Sequence, residues 1–104
     1  ENLEQKNDIN KLVEIAQVNY FDKKKCSPGY PRISIKRGEK GKVLVSVIIN
    51  KEGFVDLVEL VESSGFKRLD DAAIKAAKNC RFVAARRNGV AVRSKAKVPY
   101  NFVY

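Results

Sequence analysis

Arg93, Lys95 and Lys97 stand at alternate positions, and Pro99 continues the same alternation. In a strand this spacing puts the three charges on one face. Pro99 has no N–H to give a ladder, so a strand that holds it belongs at the edge of a sheet. Basic side chains are a common guard against edge-to-edge aggregation. The same edge offers unpaired N–H and C=O groups to an extended peptide. On these residues alone, a guarded edge and a binding edge are both open.

Other reactive patterns are missing. The 104-residue chain has no His, Met or Trp. Without His it lacks the commonest general base and metal ligand, and no Ser–His or Cys–His pair can form. Asp70 and Asp71 are adjacent, point to different sides of a helix and read as helix-start charges. Gly38-x-x-Gly41 leads into a strand and not a helix, so it is no phosphate loop. Cys26 and Cys80 are too few for a zinc site and lack the C-x-x-C redox spacing, which leaves a structural disulfide or two buried thiols. These residues point away from an enzyme, and no metal or cofactor is expected.

The chain carries 21 basic and 12 acidic residues, a net charge of +9. That surplus suits nucleic acid, lipid headgroups, cell-wall polymer or acidic peptides. Nucleic acid is not expected, because Tyr100, Phe102 and Tyr104 alternate toward the core and do not form a stacking platform. Apolar residues make up 44% of the chain, enough for one packed core. No apolar run approaches the ~18 residues of a membrane span. Glu1 is not an initiator Met, and the chain reads like an excised domain.

The elements that must position these residues follow from periodicity. Ile9, Leu12, Val13, Ala16 and Tyr20 form one stripe, which predicts an N-terminal helix from Asn7 to Phe21. Cys26-Ser27-Pro28-Gly29-Tyr30-Pro31 excludes a continuous helix, and Pro31 can open a short one over Arg32 to Arg37. Val43, Val45, Val47 and Ile49 alternate as a strand, and Asn50-Lys51-Glu52-Gly53 turns into a second strand, Val55 to Glu62. Its apolar phase slips by one residue, the mark of a β-bulge. Leu69, Ala72, Ala73, Ala76, Ala77 and Cys80 predict the long helix. After the Asn88-Gly89 turn, alternation runs from Val90 to Tyr104 as one strand. The expectation is a two-layer α+β domain of order α-α-β-β-α-β: a three-stranded antiparallel sheet, helices on one face, the C-terminal strand at the edge.

From Tyr30 onward the chain resembles the C-terminal domain of TonB, the energy transducer of Gram-negative bacteria. The matching pieces are Tyr30-Pro31; Gly41-x-Val43-x-Val45-x-Val47; Gly53-x-Val55; and Ser63-Ser64-Gly65 followed by Leu69-Asp70-x-Ala72-Ala73-x-x-Ala76. Arg81-Phe82-x-x-Ala85, Asn88-Gly89-x-x-Val92 and Val98-Pro99-x-x-Phe102 complete the set. The resemblance divides the chain into an N-terminal helix and linker over 1–29 and the TonB-like domain over 30–104.

That resemblance implies a periplasmic domain tethered to the inner membrane by a helix not present in this chain. It implies binding of the TonB box, a short extended segment of outer-membrane transporters, beside the last strand. It also implies transmission of energy from an inner-membrane motor complex for uptake of iron chelates, haem or cobalamin. It nominates Tyr30, Pro31 and Arg32 for partner contact, and the edge strand read as the binding rail adds Arg93, Lys95, Lys97, Val98, Pro99 and Asn101. Cys80 stands where the family usually has an aromatic residue, and Cys26 is the candidate to fill that space. The periplasm permits a Cys26–Cys80 disulfide, which would staple the linker to the long helix. The segment before Tyr30 packs on the sheet, as in the related TolA C-terminal domain, or joins a homodimer. A TolA-like interaction domain, and a peptidoglycan- or nucleic-acid-binding module, are the alternatives.

Overall fold

The computed structural model describes residues 13–15, 18–21 and 26–103. The elements are β1 (Val13–Ile15), α1 (Arg32–Lys36), β2 (Gly41–Ile49), β3 (Val55–Glu62), α2 (Lys67–Lys78), β4 (Ala85–Arg87), β5 (Val90–Val92) and β6 (Ser94–Phe102). Among the described residues the main sheet has four strands in the order β1-β6-β2-β3, and β4 and β5 form a separate two-stranded hairpin. The α+β architecture with α2 across the sheet is as expected; the strand count and the order differ.

β2 is the central strand. Its inward residues Val43, Val45, Val47 and Ile49 are fully buried. They meet Leu69, Ala73 and Ala77 of α2 and Ala96, Val98, Tyr100 and Phe102 of β6 in one core. The small alanines on the buried face let α2 lie close to the sheet. β6 pairs antiparallel with β2 without interruption, from Gly41↔Phe102 to Ile49↔Ser94.

The phase slip in β3 is a real irregularity. The register passes from Ile48↔Leu57 to Ile49↔Val55, so Asp56 is the extra residue there. A second shift leaves Val61 unpaired between Leu60 and Glu62. Gly53 closes the β2–β3 turn at φ 92°, and a Cβ there would lie 2.0 Å from the Phe82 carbonyl oxygen. Only glycine fits, because Phe82 N–H bonds back to Gly53 O at 2.8 Å.

Three expectations need correction. The helix foreseen from Asn7 to Phe21 does not run through its middle: Val13–Ile15 is a strand, parallel to β6. Backbone pairing on an open edge has won over a local periodicity that two β-branched residues support only weakly. The rest of that helix lies outside the described residues or in irregular backbone. Secondly, the alternation from Val90 to Tyr104 is not one strand. It breaks at Arg93, because Val90–Val92 folds back onto Ala85–Arg87 through an Asn88-Gly89 turn with both residues at positive φ. Thirdly, the last strand is an edge along only part of its length. β1 covers Ser94–Ala96, and among the described residues no strand lies outside β6 from Lys97 onward.

Candidate functional site

The open part of β6 has a defined polarity. Pro99 has no N–H, yet the β2–β6 pairing runs unbroken through Leu44↔Pro99. Its nitrogen therefore faces away from β2, toward the outer edge. Backbone groups alternate in direction along a strand, so Lys97 and Asn101 also aim their N–H groups outward. Lys95 does the same beneath β1. Side chains alternate too: Ser94, Ala96, Val98, Tyr100 and Phe102 are buried, while Lys97, Pro99 and Asn101 are exposed.

This geometry sorts the nominated residues. Lys97, Pro99 and Asn101 present both side chain and outward backbone. Val98 does neither: its side chain is fully buried, and its backbone groups face β2. Within the Arg93–Asn101 rail it can support the open edge only from the core side. Lys95 is half-buried, in register with Glu14 of β1. Arg93 lies between β5 and β6 and pairs with Asp56 at 3.3 Å. That exposed pair contributes little to stability.

Of Tyr30, Pro31 and Arg32, Tyr30 reaches the C-terminal end of β6. The Tyr30 ring packs edge-on against Phe102, centroids 5.4 Å apart. Pro31 is the N-cap of α1 in extended conformation, and Arg32 is its first, exposed residue. The anchor beneath them is Glu39. Tyr30 Oη donates to the Glu39 carbonyl oxygen. The Glu39 side chain is 8% exposed, accepts from Ser34 Oγ at 2.8 Å and meets Arg68 of α2 at 3.3 Å. In the sequence Glu39 is an acid between Gly38 and Gly41 and reads as an ordinary turn residue. Only the tertiary partners reveal its role.

At the other end, Cys26 and Cys80 are disulfide-bonded, with Cα atoms 4.7 Å apart and both side chains buried. Cys80 follows α2, so the bond fixes the start of the 26–31 linker against the helix end. The Ser63-Ser64-Gly65 motif is structural: Asp70 of α2 accepts from Ser63 Oγ, Ser64 Oγ and Ser64 N–H. Burial pushes the Asp70 carboxyl up, but these three bonds outweigh it and hold its pKa below the usual range. Burial, with Tyr20 adding to it, pushes the Tyr100 phenol up to about 12.

Comparison with known proteins agrees with this arrangement. The family described as "Gram-negative bacterial TonB protein C-terminal" matches residues 27–104. Protein TonB of Neisseria meningitidis serogroup C is 49% identical over 57 residues, 55% of this chain and 20% of that protein. Protein tonB2 of Pseudomonas aeruginosa is 37% identical over 76 residues, 73% of this chain and 28% of that protein. The chain thus spans only a fraction of these relatives. In solution structures, the TonB C-terminal domain of Pseudomonas aeruginosa shares the fold at a TM-score of 0.68 and 24% identity, covering 89% of this chain and 94% of that one. A Helicobacter pylori TonB C-terminal domain gives 0.59 at 28% identity, covering 74% and 80%. With the family match running over residues 27–104 and the fold shared, the chain belongs to the TonB C-terminal domain family.

Proposed function

We propose that this domain binds the TonB box of outer-membrane transporters by strand addition along the outer side of β6, from Lys97 to Phe102. The observation that carries the reading is the open edge itself. Lys97 and Asn101 aim N–H groups outward, and no strand among the described residues meets them. Lys97 and Asn101 select acidic or polar side chains in the incoming peptide, with Tyr30, Pro31 and Arg32 at the end of the rail.

Energy transduction fits the same edge. Backbone pairing loads several hydrogen bonds together when the pull runs along the strand. On the other side, β6 is locked to β2 over its whole length of nine residues, so tension passes into the core. We read the domain as a force-bearing binding module and not an enzyme. In this reading it works in the periplasm, as part of a longer protein anchored in the inner membrane and driven by the motor complex there. The cargo is an iron chelate, haem or cobalamin.

Titration of the labelled domain with a synthetic TonB-box peptide tests this reading. Backbone amide NMR signals of Lys97 and Asn101 are expected to shift, with those of β3 unmoved. A peptide that leaves the β6 amides unchanged sinks the strand-addition reading.

A further inference from the structure

β1 occupies the stretch of the β6 edge that adjoins the one proposed for the partner. It pairs with Ser94, Lys95 and Ala96, directly in line with the open stretch that begins at Lys97. We propose that β1 is a resident competitor: it holds the first third of the β6 edge in the unbound domain and is lifted off when a peptide extends along it. This rests on strand addition at β6.

The attachment of the segment is graded. At Cys26 it is covalent, through Cys80. Next, the chain over 19–21 is laced to the chain over 81–83. Phe21 N–H donates to Arg81 O at 3.0 Å, and Val83 N–H donates to Asn19 O at 2.7 Å. The Arg81 guanidinium lies over the Phe21 ring at 4.2 Å and over Phe54 at 4.6 Å. Tyr20 packs on Phe82 with centroids 5.2 Å apart. Last comes β1, which among the described residues pairs three residues in parallel, a weaker attachment than the bond or the lacing. The weakest link therefore lies on the partner's edge, and the strongest lies away from it. Such a segment can leave β6 and stay attached at 19–21 and Cys26, close enough to return.

β1 also carries the chemistry of a guest. Glu14 stands in register with Lys95, an opposite-charge cross-strand position, and Ile15 packs against the core beside Ala96. A peptide that takes over this stretch must present an acid at Lys95 and an apolar residue at Ala96 to match what it displaces. The full nine-residue edge is then longer than its open part, and its first third discriminates among peptides.

The test uses Glu14→Lys and, separately, Ile15→Asp in the full chain. Two readouts are taken: hydrogen exchange of the Ser94–Ala96 amides without peptide, and the affinity of a synthetic TonB-box peptide. Faster exchange at Lys95 with β2 unchanged, together with a gain in affinity of about three- to tenfold, is expected as the competing state is removed. Faster exchange with unchanged or weaker affinity overturns the competition and leaves strand addition standing. Unchanged exchange in both variants overturns it as well, since β1 would not then be what covers the edge. If the peptide binds neither the parent chain nor the variants while exchange does rise, strand addition itself fails, and the competition with it.

Discussion

The Tyr30 ring meets Phe102 edge-on at 5.4 Å, and this contact joins the linker to the end of the last strand. Two groups of residues far apart in sequence thereby become one surface. Tyr30→Phe keeps the ring and removes the hydroxyl that donates to Glu39 O. It is expected to cost about 1 kcal/mol of stability. Tyr30→Ala also removes the ring, should cost about 3 kcal/mol, and should weaken TonB-box binding. Urea unfolding and peptide titration of the two variants check this. Equal losses in both would mean that the ring contact contributes nothing.

A second proline on the edge discriminates between its two sides. Lys97 N–H faces outward, so Lys97→Pro leaves β2 pairing intact and deletes a donor on the open side. Peptide affinity should fall by about tenfold or more, with little loss of stability, because among the described residues no strand pairs with that N–H. Isothermal titration and thermal unfolding measure the pair of effects. Full peptide affinity in a folded Lys97→Pro protein contradicts the outward rail. Lys97→Glu is expected to slow association more than it speeds dissociation.

Much of this arrangement was legible in the residues. Alternating valines announced β2, an alanine stripe announced α2, and Pro99 announced an edge. Each signal is local, and each element's own period decides it. What stayed hidden depends on tertiary partners. Val13–Ile15 became a strand because β6 had a side to cover, which no local period records. Val90–Val92 left the long alternation because the Asn88-Gly89 turn gave it Ala85–Arg87 to pair with. Val98 lies in the same rail as Lys97 and Pro99, yet the alternation that exposes those two buries it. Glu39 went unseen because its meaning lies in Ser34 and Arg68.

The disulfide should be a large single contribution to stability. It closes a separation of 54 residues and involves two buried side chains. In the chain-entropy model such a crosslink is worth about 4 kcal/mol. Replacing both cysteines by Ser should lower stability by about that amount in urea unfolding. Peptide binding should survive in the fraction that remains folded, because β2 and α2 still hold β6. Mass spectrometry of the parent chain, alkylated without reductant, should show no modified cysteine.

Asp70 should govern part of the acid limit. Its folded pKa is held below the ordinary carboxylate value by bonds from Ser63 and Ser64, against the push of burial. The unfolded chain then binds a proton at higher pH than the folded one. Stability from this group is fully present above the unfolded value of about 4 and is lost as pH falls through the lower folded value. Asp70→Asn removes that titration. Its amide cannot accept all three bonds at once, so the variant should lose about 1–3 kcal/mol at pH 7. Below pH 4 the difference from the parent chain should narrow, because the parent's unfolded state takes up a proton there while the folded carboxyl is still ionised. Urea midpoints at pH 7 and pH 3 give the comparison. A gap that stays constant between them would show that the three serine-donated bonds do not depend on the charge.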